Sequence, residues 1–212
     1  ISAESGLGTF RDSGGLWEQF KIEDVATPAA FERNPELVLD FYNLRRKQLL
    51  ESEPNAAHIS LNKLSEKYKL HIITQNIDDL HERSGNKKVL HLHGKLTEAK
   101  SSIDDKIYPI NGAELGMGDL CEKGGQLRPN VVWFGEAVPK MIDAISITKK
   151  ADVFIVIGTS LNVYPAASLL NYTNNANRII LIDPKAEEER SIEVIKEKAT
   201  IAVPKLVEEL LQ

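Results

Sequence analysis

Two apolar runs that each stop abruptly in polar side chains constrain this chain more than any other feature. Leu70-His71-Ile72-Ile73 passes into Thr74-Gln75-Asn76-Ile77-Asp78-Asp79-Leu80-His81, and Val89-Leu90-His91-Leu92 passes into His93-Gly94. A helical pattern over residues 56–68, opened by Pro54-Asn55, leads into the first run, and alternation of helix with short apolar strands is the mark of βαβ units around a parallel sheet. Further strands are expected at 153–157, 178–182 and 199–203, with a last helix over 205–211. The fold class that follows is α/β.

In an open α/β sheet, ligands bind beyond the carboxyl ends of the strands, so the polar residues there are candidates for chemistry. Asn76 and Asp78 alternate with Ile77, which puts both on one side of an extended segment and Gln75 on the other. They can equally serve as caps for a helix starting near Asp79. His93, closing a strand beside Gly94, can present a ring nitrogen as a general base, although a lone histidine can also be structural. His91 and His93 share a strand face, but no third or fourth metal ligand accompanies them.

Length and composition narrow the field. The 212 residues suffice for one large α/β domain with a modest insertion, and 42% hydrophobic with 27% charged residues is ordinary for a globular chain. No run reaches the roughly 20 apolar residues that span a bilayer, so membrane insertion is not expected. A net charge of -5 gives no overall basic field for nucleic acid, although Arg45-Arg46-Lys47 forms a local basic patch. The single cysteine, Cys121, excludes an intramolecular disulfide, and a cytoplasmic monomer is the expectation.

Asn34 and Pro35 open a helix to about Glu51 on which Leu37, Val38, Phe41, Leu44 and Gln48 share one face. Tyr42 and Arg45, three residues apart, lie to one side of that stripe and can reach one ligand together, or else decorate a solvated face. Gly158-Thr159-Ser160 follows an apolar strand and is either a phosphate- or ribose-binding turn or a plain loop. The stretch from Ser5 to Arg11 is glycine-rich but lacks the third glycine of a dinucleotide fingerprint.

Thr74-Gln75-Asn76-Ile77-Asp78, His93-Gly94, Val131-Val132-Trp133-Phe134-Gly135-Glu136 and Gly158-Thr159-Ser160, in that order and at those separations, resemble the sirtuins, the NAD-dependent protein lysine deacylases. The resemblance covers nearly the whole chain. It implies a Rossmann-like NAD-binding domain over 1–17, 54–95 and 129–212, with a smaller domain made of a helical insertion, 18–53, and a degenerate zinc module, 96–128. It also implies a first strand and a Gly-Ala-Gly turn, central to the sheet, ahead of Ile1.

The same resemblance implies roles. Ser2, Ala3, Phe10, Arg11, Gln75, Asn76, Asp78, Gly158, Thr159, Ser160 and Asp183 would contact NAD, Asp183 standing where the family usually has Asn. His93 would be the base that deprotonates a ribose hydroxyl after the acyl oxygen has displaced nicotinamide, with Asn76 and Asp78 positioning the ribose and a water. Val131, Val132 and Phe134 would border the acyl-lysine tunnel. The spacing of Tyr42 and Arg45 matches the desuccinylase class, in which a tyrosine and an arginine bind the carboxylate of succinyl- or malonyl-lysine, and Ala30 falls where that class carries a small residue.

Sirtuins usually carry two Cys-x-x-Cys zinc pairs between Lys95 and Arg128, but the matching residues here are Ser101, Asp104, Cys121 and Gly124. No zinc is expected, and Ile103, Ile107, Tyr108, Ile110, Leu115 and Leu120 are expected to pack the module instead. The substrates implied are acylated-lysine proteins or peptides. A sensor that binds NAD or ADP-ribose without turnover and a protein ADP-ribosyltransferase are the alternatives.

Overall fold

The computed structural model describes residues 1–8, 20–159, 164–188 and 191–212. Two parallel sheets carry the larger body. β1 (Ile72–Thr74) pairs in parallel with β2 (Val89–His91), and β6 (Val153–Ile157) pairs in parallel with β7 (Arg178–Ile182), which pairs with β8 (Glu193–Ile195). The third sheet is antiparallel, in the order β4 (Ile107–Pro109), β3 (Gly94–Ser101), β5 (Leu127–Val131). A cavity of about 570 Å³ lies between β1 and β6 and extends to Gln75, Asn76, Gly158 and Thr159 at the strand ends.

The helices are α1 (Ile22–Val25), α2 (Pro28–Arg33), α3 (Pro35–Glu51), α4 (Ala56–Lys63), α5 (Leu80–Arg83), α6 (Met141–Thr148) and α7 (Ala199–Leu211). Asn34 caps α3 by accepting from Leu37 N at 3.2 Å, with Pro35 in the first turn, as the sequence predicts. Residues 199–203, expected as a strand, are instead the start of α7, and the third strand of that sheet is β8. Pro204 inside α7 hid this, because proline signals a helix break. The carboxylate of Glu4 accepts from Ala199 N at 2.9 Å and Thr200 N at 3.1 Å, capping the helix from the far end of the sequence.

α1, α2 and α3 share a core with the antiparallel sheet, including Ala30, Val38, Phe41, Tyr42, Leu96 and Trp133. The inward face of α3 is rotated from the expected one. Leu44 is exposed, whereas Asn43 and Arg46 are buried. Most of their polar atoms are matched: Arg46 donates to Leu96 O at 2.7 Å and Ala113 O at 2.6 Å, and Asn43 donates to Leu115 O at 3.1 Å, while Arg46 Nη2 is buried without a hydrogen-bond partner among the described residues. Arg46 is therefore a buried tie between α3 and the antiparallel sheet, not part of a basic patch.

Candidate active site

The two apolar runs that stop in polar side chains are laced together where β1 and β2 end. Thr74 O accepts from Leu92 N at 2.9 Å and Ile77 O accepts from Leu96 N at 2.7 Å. Between them, Gln75 O meets His93 Nδ1 at 3.0 Å, and Asn76 O meets His91 Nδ1 at 3.3 Å. Four successive carbonyls thus find partners in one short stretch, two of them histidine rings.

A carbonyl can only accept, so Nδ1 of His93 carries the hydrogen and Nε2 keeps its lone pair. Burial holds the pKa of His93 below the ordinary value, against the opposing pull of the Gln75 carbonyl. The ring is only partly buried and remains accessible. A neutral imidazole with a fixed tautomer and a free Nε2 can accept a proton. Gly94 makes this placement possible: its φ is +79°, and a Cβ there would lie 1.9 Å from Asn130 O.

Asn76 Nδ2 donates to Ser2 Oγ at 2.9 Å, and Ser2, itself buried in the turn Ser2–Ser5, also hydrogen-bonds Asp78. Asp78 accepts from Leu80 N at 3.2 Å, so it orders the entry to α5 while facing the same hydroxyl as Asn76. Burial pushes the Asp78 carboxyl upward, outweighing these bonds. Gln75 Nε2 reaches Thr159 Oγ1 at 3.5 Å, linking the two parallel sheets at their carboxyl ends. Gly158, with φ +63°, lets Ile1 N approach to 2.6 Å of where its Cβ would be.

Asp183 closes β7 half-buried and accepts from Lys185 N at 2.8 Å, while Ala3 is exposed on its turn. Phe10, Arg11 and Ser160 lie outside the described residues. Amide, hydroxyl and glycine groups from Ser2, Gln75, Asn76, Gly158 and Thr159 therefore converge at the strand ends, a donor and acceptor set suited to ribose and phosphate oxygens.

Tyr42, Ala30 and Trp133 form one buried group. Trp133 Nε1 donates to the Tyr42 hydroxyl at 3.0 Å, and burial pushes the phenol up to about 12. Arg45, largely buried beside it, is held below its usual pKa by desolvation, partly offset by Tyr42 and Asp78. Arg45 is thus close enough to feel both the expected clamp partner and the polar loop. Val131 is buried, Val132 N donates to His93 O at 3.0 Å, and Phe134 is exposed. This places the 131–134 run directly beside the histidine. The cavity between the sheets reaches Gln75 and Asn76, whereas His93, Tyr42 and Arg45 are outside its lining.

Sequence reasoning missed Glu82. It contacts His91 Nε2 at 2.8 Å and Lys95 Nζ at 2.7 Å, and despite burial these bonds draw its pKa down to about 2.

The zinc-module positions do not suit a zinc ion. Cys121 Sγ accepts from Ser101 Oγ and Gly125 N, each at 3.3 Å, and Asp104 pairs with Lys123 at 2.9 Å. One thiol, one hydroxyl and one carboxylate already engaged by a lysine are not four tetrahedral ligands, and Gly124 brings no side chain. Nor does the expected apolar cluster form, since Ile103, Ile107 and Leu120 are exposed. Leu115, with Ile110, packs on Leu39 of α3 instead.

The family model described as Sir2 family matches residues 1–165. The chain belongs to the Sir2 family. An NAD-dependent protein deacylase of Bacteroides thetaiotaomicron is 48% identical, over 100% of this chain and 94% of its own length. Among solved structures, a Sir2 homologue in complex with ADP-ribose superposes with a TM-score of 0.89 at 37% identity, covering 100% of this chain and 88% of that one. A Sir2 homologue–NAD complex gives 0.87 at 36% identity, over 100% and 86%.

Proposed function

We propose that this chain is an NAD-dependent protein lysine deacylase that prefers succinyl- and malonyl-lysine, also removes acetyl groups, and yields nicotinamide and 2'-O-acyl-ADP-ribose. The observation that carries the reading is the His93 tautomer, fixed by Gln75 O, with no partner on Nε2 among the described residues. NAD supplies the activated ribose to which the acyl group passes. Gln75, Asn76, Ser2, Gly158 and Thr159 would hold the dinucleotide, with Phe10, Arg11, Ser160, Ala3 and Asp183 as further contacts. His93 Nε2 would take the proton of a ribose hydroxyl, and the Ser2–Asn76–Asp78 network would keep that hydroxyl in reach.

The acyl preference rests on Tyr42 and Arg45. A guanidinium whose charged form is already disfavoured by burial gains most from an incoming carboxylate, and a neutral phenol beside it can donate. Ala30, without exposure beside them, leaves only a methyl group at that wall. Val131, Val132 and Phe134 would flank the substrate lysine of a protein or peptide. The 96–128 module would hold no zinc, supported by its donor set. The protein is taken to act as a cytoplasmic monomer without direct nucleic-acid or membrane contact, and among the described residues no helix is long and apolar enough to cross a membrane.

Incubation with NAD and succinyl-, malonyl- and acetyl-lysine peptides, followed by mass, tests the reading. Loss of acyl groups that disappears in His93→Ala supports it, unchanged peptide points to a sensor, and gain of ADP-ribose on protein points to a transferase. Stoichiometric zinc in protein purified without added metal would overturn the metal-free module.

A further inference from the structure

The Tyr42 hydroxyl does not stand alone. The indole N–H of Trp133 is a donor only, so at 3.0 Å it obliges the Tyr42 oxygen to accept. The phenol hydrogen is then turned elsewhere, and it donates to no group among the described residues. A buried hydroxyl hydrogen without an acceptor is costly, and an acceptor on a ligand recovers that cost. The direction in which that hydrogen points therefore matters for recognition.

Trp133 is itself locked. The Arg128 guanidinium sits 3.7 Å from the indole ring centroid, a cation–π contact, and donates to Val131 O at 3.2 Å. Glu136 closes the loop, accepting from Arg128 at 2.9 Å and from Trp133 N at 2.7 Å. Phe31 packs against Trp133 as well, with ring centroids 5.4 Å apart. Arg128 and Glu136 neutralise each other, so this clamp fixes the ring without adding net charge to the wall that holds Tyr42.

We propose that Trp133, held by Arg128 and Glu136, is a positioning residue for acyl specificity: it takes up the acceptor capacity of the Tyr42 oxygen and leaves the hydroxyl as a donor aimed at the carboxylate of an acidic acyl-lysine. The proposal rests on the carboxylate-clamp reading of Tyr42 and Arg45. It accounts for a tryptophan that makes no expected contact with NAD yet is bonded through ring, backbone and side-chain neighbours at once.

The test compares kcat/KM for succinyl- and acetyl-lysine peptides at saturating NAD. Trp133→Phe keeps an aromatic ring and removes the N–H, and it is expected to lower the succinyl-to-acetyl ratio about tenfold, through KM for the succinyl peptide. Tyr42→Phe should lower the ratio at least as far, and the double variant no further, because the indole acts only through the phenol. An unchanged ratio in Tyr42→Phe sinks the clamp reading itself. A changed ratio there, with an unchanged ratio in Trp133→Phe or additive losses in the double variant, overturns the positioning role alone. Should Trp133→Phe fail to fold, Glu136→Gln loosens the clamp with the indole intact and must shift the same ratio in the same direction; no shift refutes the proposal.

Discussion

Two buried histidines outside the reaction should make this protein lose stability on mild acidification. His58 has no exposure and His81 almost none, and their rings meet edge to face with centroids 4.8 Å apart. Burial, reinforced by the neighbouring His81, pushes His58 down to about 3; burial, against the partial help of Glu82, pushes His81 down to about 4. His58 Nδ1 accepts from Asn55 N in the capping box of α4, which favours the neutral ring.

The sign follows from proton counting. Folded-state pKa values below the unfolded value of 6.5 mean that the unfolded chain binds protons first, so stability is full above pH 6.5 and falls as pH drops towards 4. At about pH 5 each histidine contributes a loss of about 1–2 kcal/mol, or about 2–4 together, and the midpoint of thermal unfolding should drop by about 5–15 °C from its value at about pH 7.5. Asp78, pushed upward, works in the opposite sense but begins from a carboxylate value of 3.8, and Glu82 is held ionised throughout this range. Calorimetry across this pH range, with imidazole resonances followed by NMR, is the assay. A flat midpoint, or two ring titrations for His58 and His81 near 6.5, would refute the reasoning.

His93→Ala should reduce formation of deacylated peptide and acyl-ADP-ribose by about 10²–10⁴-fold while the unfolding midpoint moves little, since the ring is only partly buried; retention of more than a tenth of the rate would remove His93 from the role of base. Gly94→Ala should be among the most damaging single changes, costing more than about 3 kcal/mol in urea unfolding, because it adds a Cβ 1.9 Å from Asn130 O at a φ of +79°. Glu4→Ala removes the cap of α7, whose bonds outweigh burial and hold the Glu4 carboxyl below its usual value. It should cost about 1–2 kcal/mol, and it should also weaken NAD binding in calorimetric titration, because Glu4 anchors the turn that carries Ser2.

The local signals in this sequence fixed a good deal. Strand runs that end in polar residues, Asn34 with Pro35 at the start of a long helix, and glycines beside functional groups all depend on neighbours within a few residues, and each stands where the chain alone puts it. The pairing of Thr74-Gln75-Asn76 with His91-Leu92-His93 was legible as two strand ends, although the hydrogen bonds that set the His93 tautomer were not.

What needed the tertiary structure were choices made by distant partners. Glu4 turns residues 199–203 into helix against the warning of Pro204, because first-turn amides need an acceptor and one arrives from the other end of the chain. Arg46 is buried and Leu44 exposed because carbonyls of Leu96 and Ala113 engage two nitrogens of a guanidinium that hydrophobic periodicity would have left in water. Trp133 reads as one apolar residue in a strand until its N–H is seen to meet Tyr42, 91 positions away. Periodicity reports which side of an element is apolar; which polar groups can join the core depends on acceptors that only folding brings near.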